Sequence, residues 1–70
     1  MNEQTFNLKQ ARLYAGMTQD EMADALKIHR STYRRLERDI SRATVAQVQT
    51  VSRVTGVPLA SLFLAADSTK

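Results

Sequence analysis

Cysteine and tryptophan are absent from this 70-residue chain, and glycine and proline are scarce, with two residues and one. Without cysteine the chain can form neither disulfides nor thiolate metal sites, which excludes a zinc finger. Its stability must therefore come from packed helices or from self-association. A chain of this length cannot divide its apolar surface between two cores, so we expect a single domain.

Signals for export, membrane insertion and catalysis are missing as well. The stretch Met1–Asn7 lacks the basic and apolar regions of a signal peptide, and the longest nearly apolar stretch, 57–66, is too short to span a bilayer. His29 is the only histidine, and no Asp, Glu or Cys lies at a spacing that would complete a metal site. No serine has a base in a triad arrangement, and the glycines are too isolated for a phosphate-binding loop. We expect a cytoplasmic protein without enzymatic activity, cofactor, small-molecule ligand or membrane contact.

The spacing of apolar residues predicts five short helices in an all-α bundle. The first helix begins at residue 6 or 7 and ends before Gly16, which can adopt the left-handed conformation that stops a helix. A capping box that begins at Thr18 opens the second helix, which runs to about Leu26. After a connection of about three residues, the third helix runs over 30–38.

Valines and a proline predict the last two helices. Four valines at every third position mark the apolar face of a fourth helix that ends at Gly56, and Pro58 opens a short fifth helix. Residues 39–43 are expected to be a polar connector. The four valines are Val45, Val48, Val51 and Val54. The domain is expected to span residues 7–64, between flexible tails at 1–6 and 65–70.

Positive charge is concentrated in one segment. The chain has a formal net charge of +3, but Lys27–Arg42 alone holds six cations and two anions, a local charge of +4. On a helix Arg30, Arg34 and Arg38 lie one above another, so each like-charged pair costs roughly 0.2–0.5 kcal/mol in the isolated domain. A charge run is most often a solvated helix face. Here the stacking of arginines at four-residue steps favours an anionic partner instead.

Two helices joined by about three residues, the second covered with arginine, match the helix-turn-helix geometry. A helix is about as wide as the major groove of DNA, so its exposed side chains reach base edges while the preceding helix crosses the backbone. Arginine suits this position because its planar fork binds the O6 and N7 atoms of guanine and also chelates phosphate. The pattern therefore predicts double-stranded DNA as the partner.

Motifs along Leu8–Phe63, about four fifths of the chain, extend this pattern. They are 16–23 (GMTQDEMA), Leu26, Ile28, Arg30-Ser31-Thr32, Leu36-Glu37, 56–59 (GVPL) and Leu62-Phe63. Together they resemble the Cro and phage-repressor helix-turn-helix family, also called Xre-type. A capping box alone is common, but its combination with a packing-face alanine, a short turn and a C-terminal Gly-Val pattern rarely arises by chance. The resemblance implies a DNA-binding transcriptional regulator, most similar to a Cro-like repressor.

The resemblance also implies roles for individual residues. Side chains that would contact bases are Arg30, Ser31, Arg34 and Arg35. Side chains that would contact the DNA backbone are Thr18, Gln19, Lys27, His29, Thr32, Arg38, Ser41 and Arg42. Gln19 matches a family glutamine that binds a phosphate and braces the first recognition residue. Arg12 and Glu37 match a pair that forms a partly buried salt bridge between the first and third helices, and we expect these two to be structural.

Four residues depart from the family pattern. Lys27 stands where glycine is usual, so either the backbone tolerates a left-handed residue at some cost or the turn differs. His29 replaces the usual Ser or Thr cap of the recognition helix, and imidazole is a poorer cap; it is either a phosphate-side contact or a solvated turn residue. Tyr33 occupies an inward position usually held by Ile or Val, and Asp39 replaces the glycine that commonly ends the helix. The departures leave the fold class unchanged and bear on the tilt of the third helix.

Self-association is expected because five small helices cannot bury every apolar residue near the C-terminus. A symmetric dimer would place two recognition helices about 34 Å apart on one face of DNA. We therefore expect a homodimer on an inverted-repeat operator. Its interface would be formed by Val57, Leu59, Leu62 and Leu64. A second hypothesis is a protein-interaction module, such as an antitoxin, whose DNA binding is secondary.

Acidic residues on the second helix support a third hypothesis. Favourable charge at a helix start explains Asp20 and Glu21, but it explains Asp24 less well. Some phage repressors and controller proteins touch RNA polymerase through acids on this face. A polymerase contact through Asp20 and Asp24, and with it a role as a transcriptional activator, is therefore an open hypothesis.

Overall fold

A computed structural model describes residues 6–62, which form four α-helices and one short 3-10 helix around a shared core. The α-helices are α1 (Leu8–Tyr14), α2 (Gln19–Leu26), α3 (Arg30–Arg38) and α4 (Val45–Thr55), and the 3-10 helix is Ile40–Arg42. Residues 59–62 are helical as well, and no strand occurs between residues 6 and 62. The predicted all-α class is confirmed.

Three of the α-helices begin with a capping box. The side chains of Asn7, Thr18 and Thr44 each accept a hydrogen bond from the backbone N–H three residues on, and the side chain there accepts one from the N–H of the capping residue. These bonds satisfy backbone groups that the first turn of a helix leaves open. In α2 the first turn also carries Asp20 and Glu21, whose negative charge complements the helix dipole.

The core lies where the four α-helices meet, and Tyr33 is its largest fully buried side chain. The other buried apolar side chains are Leu8, Ala11, Met22, Ala23, Leu36, Ile40, Val48, Val51, Val57 and Leu62. Full burial of one large apolar side chain contributes roughly 1.5–3 kcal/mol. Because Tyr33 and Leu36 fix one side of α3 in this core, the opposite side of α3 faces solvent.

The valines of α4 do not form a single buried face. Val48 and Val51 are buried, but Val45 and Val54 are 60% and 40% exposed, and Thr55 occupies the last buried position of the helix. Each step of three residues turns about 300° around a helix axis, so positions 45 and 54 point about 180° apart. The prediction of one face with all four valines is wrong for this reason.

The connector after α3 contributes to the core, contrary to the predicted polar loop. Ile40 begins the 3-10 helix and is buried. Asp39 caps this helix by accepting a hydrogen bond from the Ser41 N–H at 3.2 Å. The backbone of Asp39 is extended, with φ −150° and ψ 91°, so α3 ends without a left-handed residue and needs no glycine there.

The chain on the N-terminal side of α1 is also packed. Phe6 lies against the core, its N–H donates to the Ser61 carbonyl at 3.4 Å, and its ring meets the ring of Tyr14 edge-on at 5.7 Å between centroids. Phe6 therefore does not belong to the flexible tail in which it was expected.

Two of the four residues expected at a dimer interface are core residues of the single chain. Val57 and Leu62 are 1% and 0% exposed, because the chain reverses at Gly56, whose φ is 80°, and packs the following residues against the helices. Their assignment to a surface between two copies is wrong. Leu59 is partly buried against the core, and Leu64 lies outside the described residues.

None of the helices within residues 6–62 combines the length and the apolar character that a membrane crossing requires.

Candidate nucleic-acid interface

The turn from α2 to α3 contains a lysine in a conformation that favours glycine. Lys27 has φ 60° and ψ 41°, and its N–H donates to the carbonyls of Ala23 and Asp24. Of the two alternatives for this position, the left-handed residue is the one observed. A residue with a β-carbon in this conformation costs roughly 1–2 kcal/mol.

His29 caps α3. Its Nδ1 accepts a hydrogen bond from the Ser31 N–H at 3.1 Å and lies 2.9 Å from the Ser31 hydroxyl. The side chain is exposed, and Nε2 is the ring nitrogen that this cap leaves available for a phosphate.

The outer side of α3 is a row of cations. Its exposed side chains are Arg30, Ser31, Arg34, Arg35 and Arg38, and Thr32 is partly buried beside them. At 3.6 residues per turn the exposed positions fall within about 140° of the helix circumference. Since Tyr33 and Leu36 are 0% and 4% exposed on the opposite side, the four predicted base-contacting residues share one solvent-facing surface. We call this surface the arginine face.

The first two residues of α2 each hold one arginine of α3. Arg30 Nη1 donates to both carboxylate oxygens of Asp20 at 3.2 Å, and Arg34 Nε donates to Gln19 Oε1 at 3.4 Å. The family resemblance implies that Gln19 braces the first recognition residue. In the structure Gln19 contacts Arg34 instead. Arg30, which is the first residue of α3, is bonded to Asp20. Arg35 makes no side-chain hydrogen bond or ion pair within residues 6–62.

Behind the arginine face, the carboxylate of Glu37 accepts three hydrogen bonds. Arg12 Nε and the Tyr33 hydroxyl donate to Oε2 at 2.7 and 2.6 Å, and Gln19 Nε2 donates to Oε1 at 3.0 Å. Arg12 Nη1 also donates to the Met17 carbonyl at 3.0 Å. The side chains of Arg12 and Glu37 are 10% and 8% exposed, so a nearly buried ion pair joins α1 to α3.

These contacts fix the charge states of the group. Burial by itself would raise the pKa of Glu37, but the hydrogen bonds from Arg12, Tyr33 and Gln19 outweigh burial, and the pKa lies below its ordinary value. The bond to Glu37 raises the pKa of Arg12, whereas burial, followed by the same carboxylate, raises the pKa of Tyr33. At neutral pH the group is therefore a carboxylate, a guanidinium and a neutral phenol, and the Glu37 charge is balanced within the protein.

The remaining predicted backbone-contacting residues flank α2 and follow α3. Thr18 and Lys27 are exposed at the two ends of α2, and the Thr18 hydroxyl accepts the cap hydrogen bond from Glu21. Beyond α3, Ser41 and Arg42 are exposed in the 3-10 helix.

Both residues of the 3-10 helix contact Asp39. The Ser41 hydroxyl donates to Asp39 Oδ1 at 2.5 Å, and Arg42 Nε lies 3.5 Å from Oδ2. The hydrogen bond from Ser41 lowers the pKa of Asp39, so this residue is ionised at neutral pH. Arg42 therefore has an internal anion beside it that a DNA phosphate would have to replace.

A polar cleft of about 460 Å³ between α1 and α3 contains two residues that the sequence did not indicate as site residues. Its walls are formed by Asn7, Lys9, Gln19, Arg34, Glu37 and Arg38. Lys9 is an isolated cation in the sequence, and only the packing of α1 on α3 brings it near the arginine face. No local pattern places Asn7 or Lys9 beside α3. Over residues 6–62 no three His, Cys, Asp or Glu side chains form a group that could hold a metal ion.

Comparison with known families gives a match to the helix-turn-helix family model over residues 8–62. The matched stretch contains α1 to α4 and the whole arginine face. Comparisons with curated proteins and with solved structures gave no match.

Proposed function

Since the chain belongs to the Cro/C1-type helix-turn-helix family of DNA-binding regulators, we propose that it is a transcriptional repressor that binds an inverted-repeat operator as a homodimer. The observation that supports sequence-specific binding is the arginine face, which is solvent-facing while the opposite side of α3 is fixed in the core. Such a regulator acts where DNA is present, in the cytoplasm of a bacterial cell.

In this proposal α3 enters the major groove and the arginine face contacts base edges. The base-contacting side chains are Arg30, Ser31, Arg34 and Arg35. Arginine recognises guanine through paired hydrogen bonds to O6 and N7, and serine bonds several bases without strong preference. We therefore expect an operator half-site that contains guanines at the positions facing the arginines.

The DNA backbone is contacted from the start of α2, from the turn between α2 and α3, from α3 itself and from the 3-10 helix that follows it. The backbone-contacting side chains are Thr18, Gln19, Lys27, His29, Thr32, Arg38, Ser41 and Arg42. Within residues 6–62 one N–H of the Gln19 amide has no acceptor after the bond to Glu37, and that N–H suits a phosphate oxygen. Contacts of this kind position α3 in the groove but carry no sequence information themselves.

Dimerisation is proposed because a single α3 covers only one half-site of an inverted repeat. Of the residues expected at the interface, Leu59 remains available at the partly exposed C-terminal end of the described chain. Sedimentation of the free protein and of its operator complex would test this, and a monomer under both conditions would contradict it.

The salt dependence of binding separates DNA recognition from the alternative of a protein-interaction module. With about four phosphate contacts per subunit, the logarithm of the dimer's affinity for DNA should fall with the logarithm of salt concentration at a slope near −7. The affinity is measured on a binding site selected from random duplexes. A flat dependence would favour a protein-interaction module such as an antitoxin.

Activation through RNA polymerase is a second candidate, and Asp24 is the residue that favours it. Asp24 is exposed on α2, and its side chain has no hydrogen bond or ion pair within residues 6–62. Charge reversal, D24K, should leave operator affinity unchanged while abolishing promoter stimulation in a transcription assay. Unchanged stimulation would remove this candidate.

A further inference from the structure

We propose that Asp20 is a specificity-determining residue of the DNA interface, which acts by holding the guanidinium of Arg30 in one orientation toward a guanine. This inference rests on the proposed DNA binding and deepens it, because it assigns a role to a residue that would not itself contact DNA. It also gives Asp20 a different role from the polymerase contact that the sequence suggests.

The geometry of the pair leaves the base-reading edge of Arg30 open. Both carboxylate oxygens of Asp20 accept a hydrogen bond from the same nitrogen of Arg30, Nη1, at 3.2 Å each. The Nε and Nη2 groups of Arg30 make no hydrogen bond within the described part of the chain. These two groups form one of the two parallel donor pairs of a guanidinium, and such a pair can make a bidentate contact with guanine O6 and N7. Asp20 can therefore remain bonded to Arg30 while Arg30 contacts a base.

The ion pair between Asp20 and Arg30 can orient the Arg30 side chain, but it adds little to the stability of the fold. The side chains of Arg30 and Asp20 are 53% and 62% exposed, and exposed ion pairs contribute little to folding. An arginine that is already held loses less conformational freedom when it binds, which favours the one contact its orientation allows.

The Asp20 carboxylate also disfavours a contact between Arg30 and a DNA phosphate. If Arg30 left the base edge and turned to a phosphate, Asp20 would lose its partner and remain unpaired near the negatively charged backbone. Such a repulsive element raises the discrimination between the correct base and its competitors.

Asp24 provides a matched comparison within the same helix. It follows Asp20 by one helical turn, has the same charge and is also exposed, and both residues line the same surface pocket beside Arg30. Only Asp20 forms hydrogen bonds with Arg30. Removing either carboxylate deletes one negative charge from α2, but only the change at Asp20 releases Arg30.

The experiment measures base discrimination in matched variants. Sites are first selected from random duplexes with the wild-type protein. Affinities of the wild type, D20A, D24A and R30A are then measured at one salt concentration for the selected site and for each of its single-base-pair variants. We expect D20A to lower the affinity ratio between site and variant about tenfold at one position, the same position at which R30A loses discrimination. D24A should keep the wild-type ratio at every position.

Two further variants separate the release of Arg30 from damage to the start of α2. D20N preserves the shape of the side chain. Its thermal unfolding shows whether the start of α2 is damaged, and its affinity ratios show whether discrimination is lost when that start is intact. The double variant D20A/R30A should show the ratios of R30A alone, since Asp20 acts through Arg30.

The outcomes distinguish this inference from the proposed function. If the wild type selects a sequence but D20A keeps every wild-type ratio, or changes a position that R30A does not affect, the role of Asp20 is wrong and DNA recognition stands. If the wild type selects no sequence at all, sequence-specific binding is wrong and the role of Asp20 with it.

Discussion

At the scale of single residues, Glu37 supports the arginine face without belonging to it. Its carboxylate is bonded to Arg12, Tyr33 and Gln19, and Gln19 in turn bonds Arg34. A change at Glu37 therefore acts on stability directly and on the interface through Gln19. Removing one partner of a nearly buried ion pair is costly because the other charge is left uncompensated.

We expect E37Q to lower the free energy of unfolding by about 3 kcal/mol, because Arg12 loses its only ion-pair partner within residues 6–62. Urea denaturation would measure this. The control is Y33F, which removes one hydrogen bond to the same carboxylate and should cost about 1 kcal/mol. A loss in E37Q no greater than in Y33F would show that the charge contributes nothing.

The pH dependence of stability follows from the lowered pKa of Glu37. The ordinary pKa of this carboxyl group is 4.5, and its pKa in the folded state is lower. Ionised Glu37 therefore stabilises the fold above pH 4.5. This stabilisation is lost as the pH falls through the lowered pKa. The difference in unfolding free energy between wild type and E37Q should therefore shrink from neutral pH to about pH 3. If the difference in unfolding free energy stayed constant over that pH range, the lowered pKa of Glu37 would be contradicted.

Arginines proposed to contact bases and arginines proposed to contact the DNA backbone should respond differently to truncation. R35A should cost about 1–3 kcal/mol of binding free energy and relax the preference at one base position, whereas R42A should weaken binding to all sequences alike. Affinities for the selected operator and for random duplex DNA would measure both. Equal losses on the two duplexes for R35A would contradict the assignment of Arg35.

At the scale of elements, the turn between α2 and α3 sets where the arginine face points. It holds Lys27 in a left-handed conformation, while Thr18 and His29 fix the starts of the two helices. Lys27 is kept in this conformation because α2 and α3 pack against each other and against the same core.

Replacing Lys27 with glycine should relieve this strain. We expect K27G to raise the free energy of unfolding by about 1 kcal/mol, because glycine adopts the left-handed region without steric cost. K27A is the control, since it removes the same charge and keeps the β-carbon. Thermal unfolding would compare the two, and a K27G protein less stable than K27A would show that the turn is not strained.

At the scale of the whole molecule, the distribution of charge and the proposed homodimer bear on how the protein binds DNA. The segment Lys27–Arg42 carries a charge of +4 within a chain of net charge +3, so the remainder is slightly negative. This asymmetry orients the arginine face toward a polyanion before contact. Two such faces on one duplex require a second copy of the chain.

If the folded protein is a dimer whose dissociation is coupled to unfolding, its Tm must depend on concentration. We expect Tm to rise by about 3 °C for a tenfold increase in protein concentration. Calorimetry over a range of concentrations would measure this. A constant Tm, together with a monomer in sedimentation, would contradict the homodimer.

Much of the fold could be predicted from short-range patterns. The bounds of α2 and α3 agree with the prediction because the capping box at Thr18 and the spacing of the arginines act within one or two turns of helix. The face of α4 and the burial of Ile40 could not be predicted in this way. Which valine is buried depends on where the other helices pack, and an isolated isoleucine in a polar stretch carries no periodic signal.

The all-helical class, the helix starts and the placement of arginines on one side of α3 could be predicted from the amino-acid sequence, because these features depend on residues a few positions apart. The fold was needed to show that Val57 and Leu62 are core residues and that Asp20 and Gln19 bond Arg30 and Arg34. Those relations join residues distant in the chain. The distances between such residues are set by how the helices pack, and no local interaction fixes the packing of one helix on another.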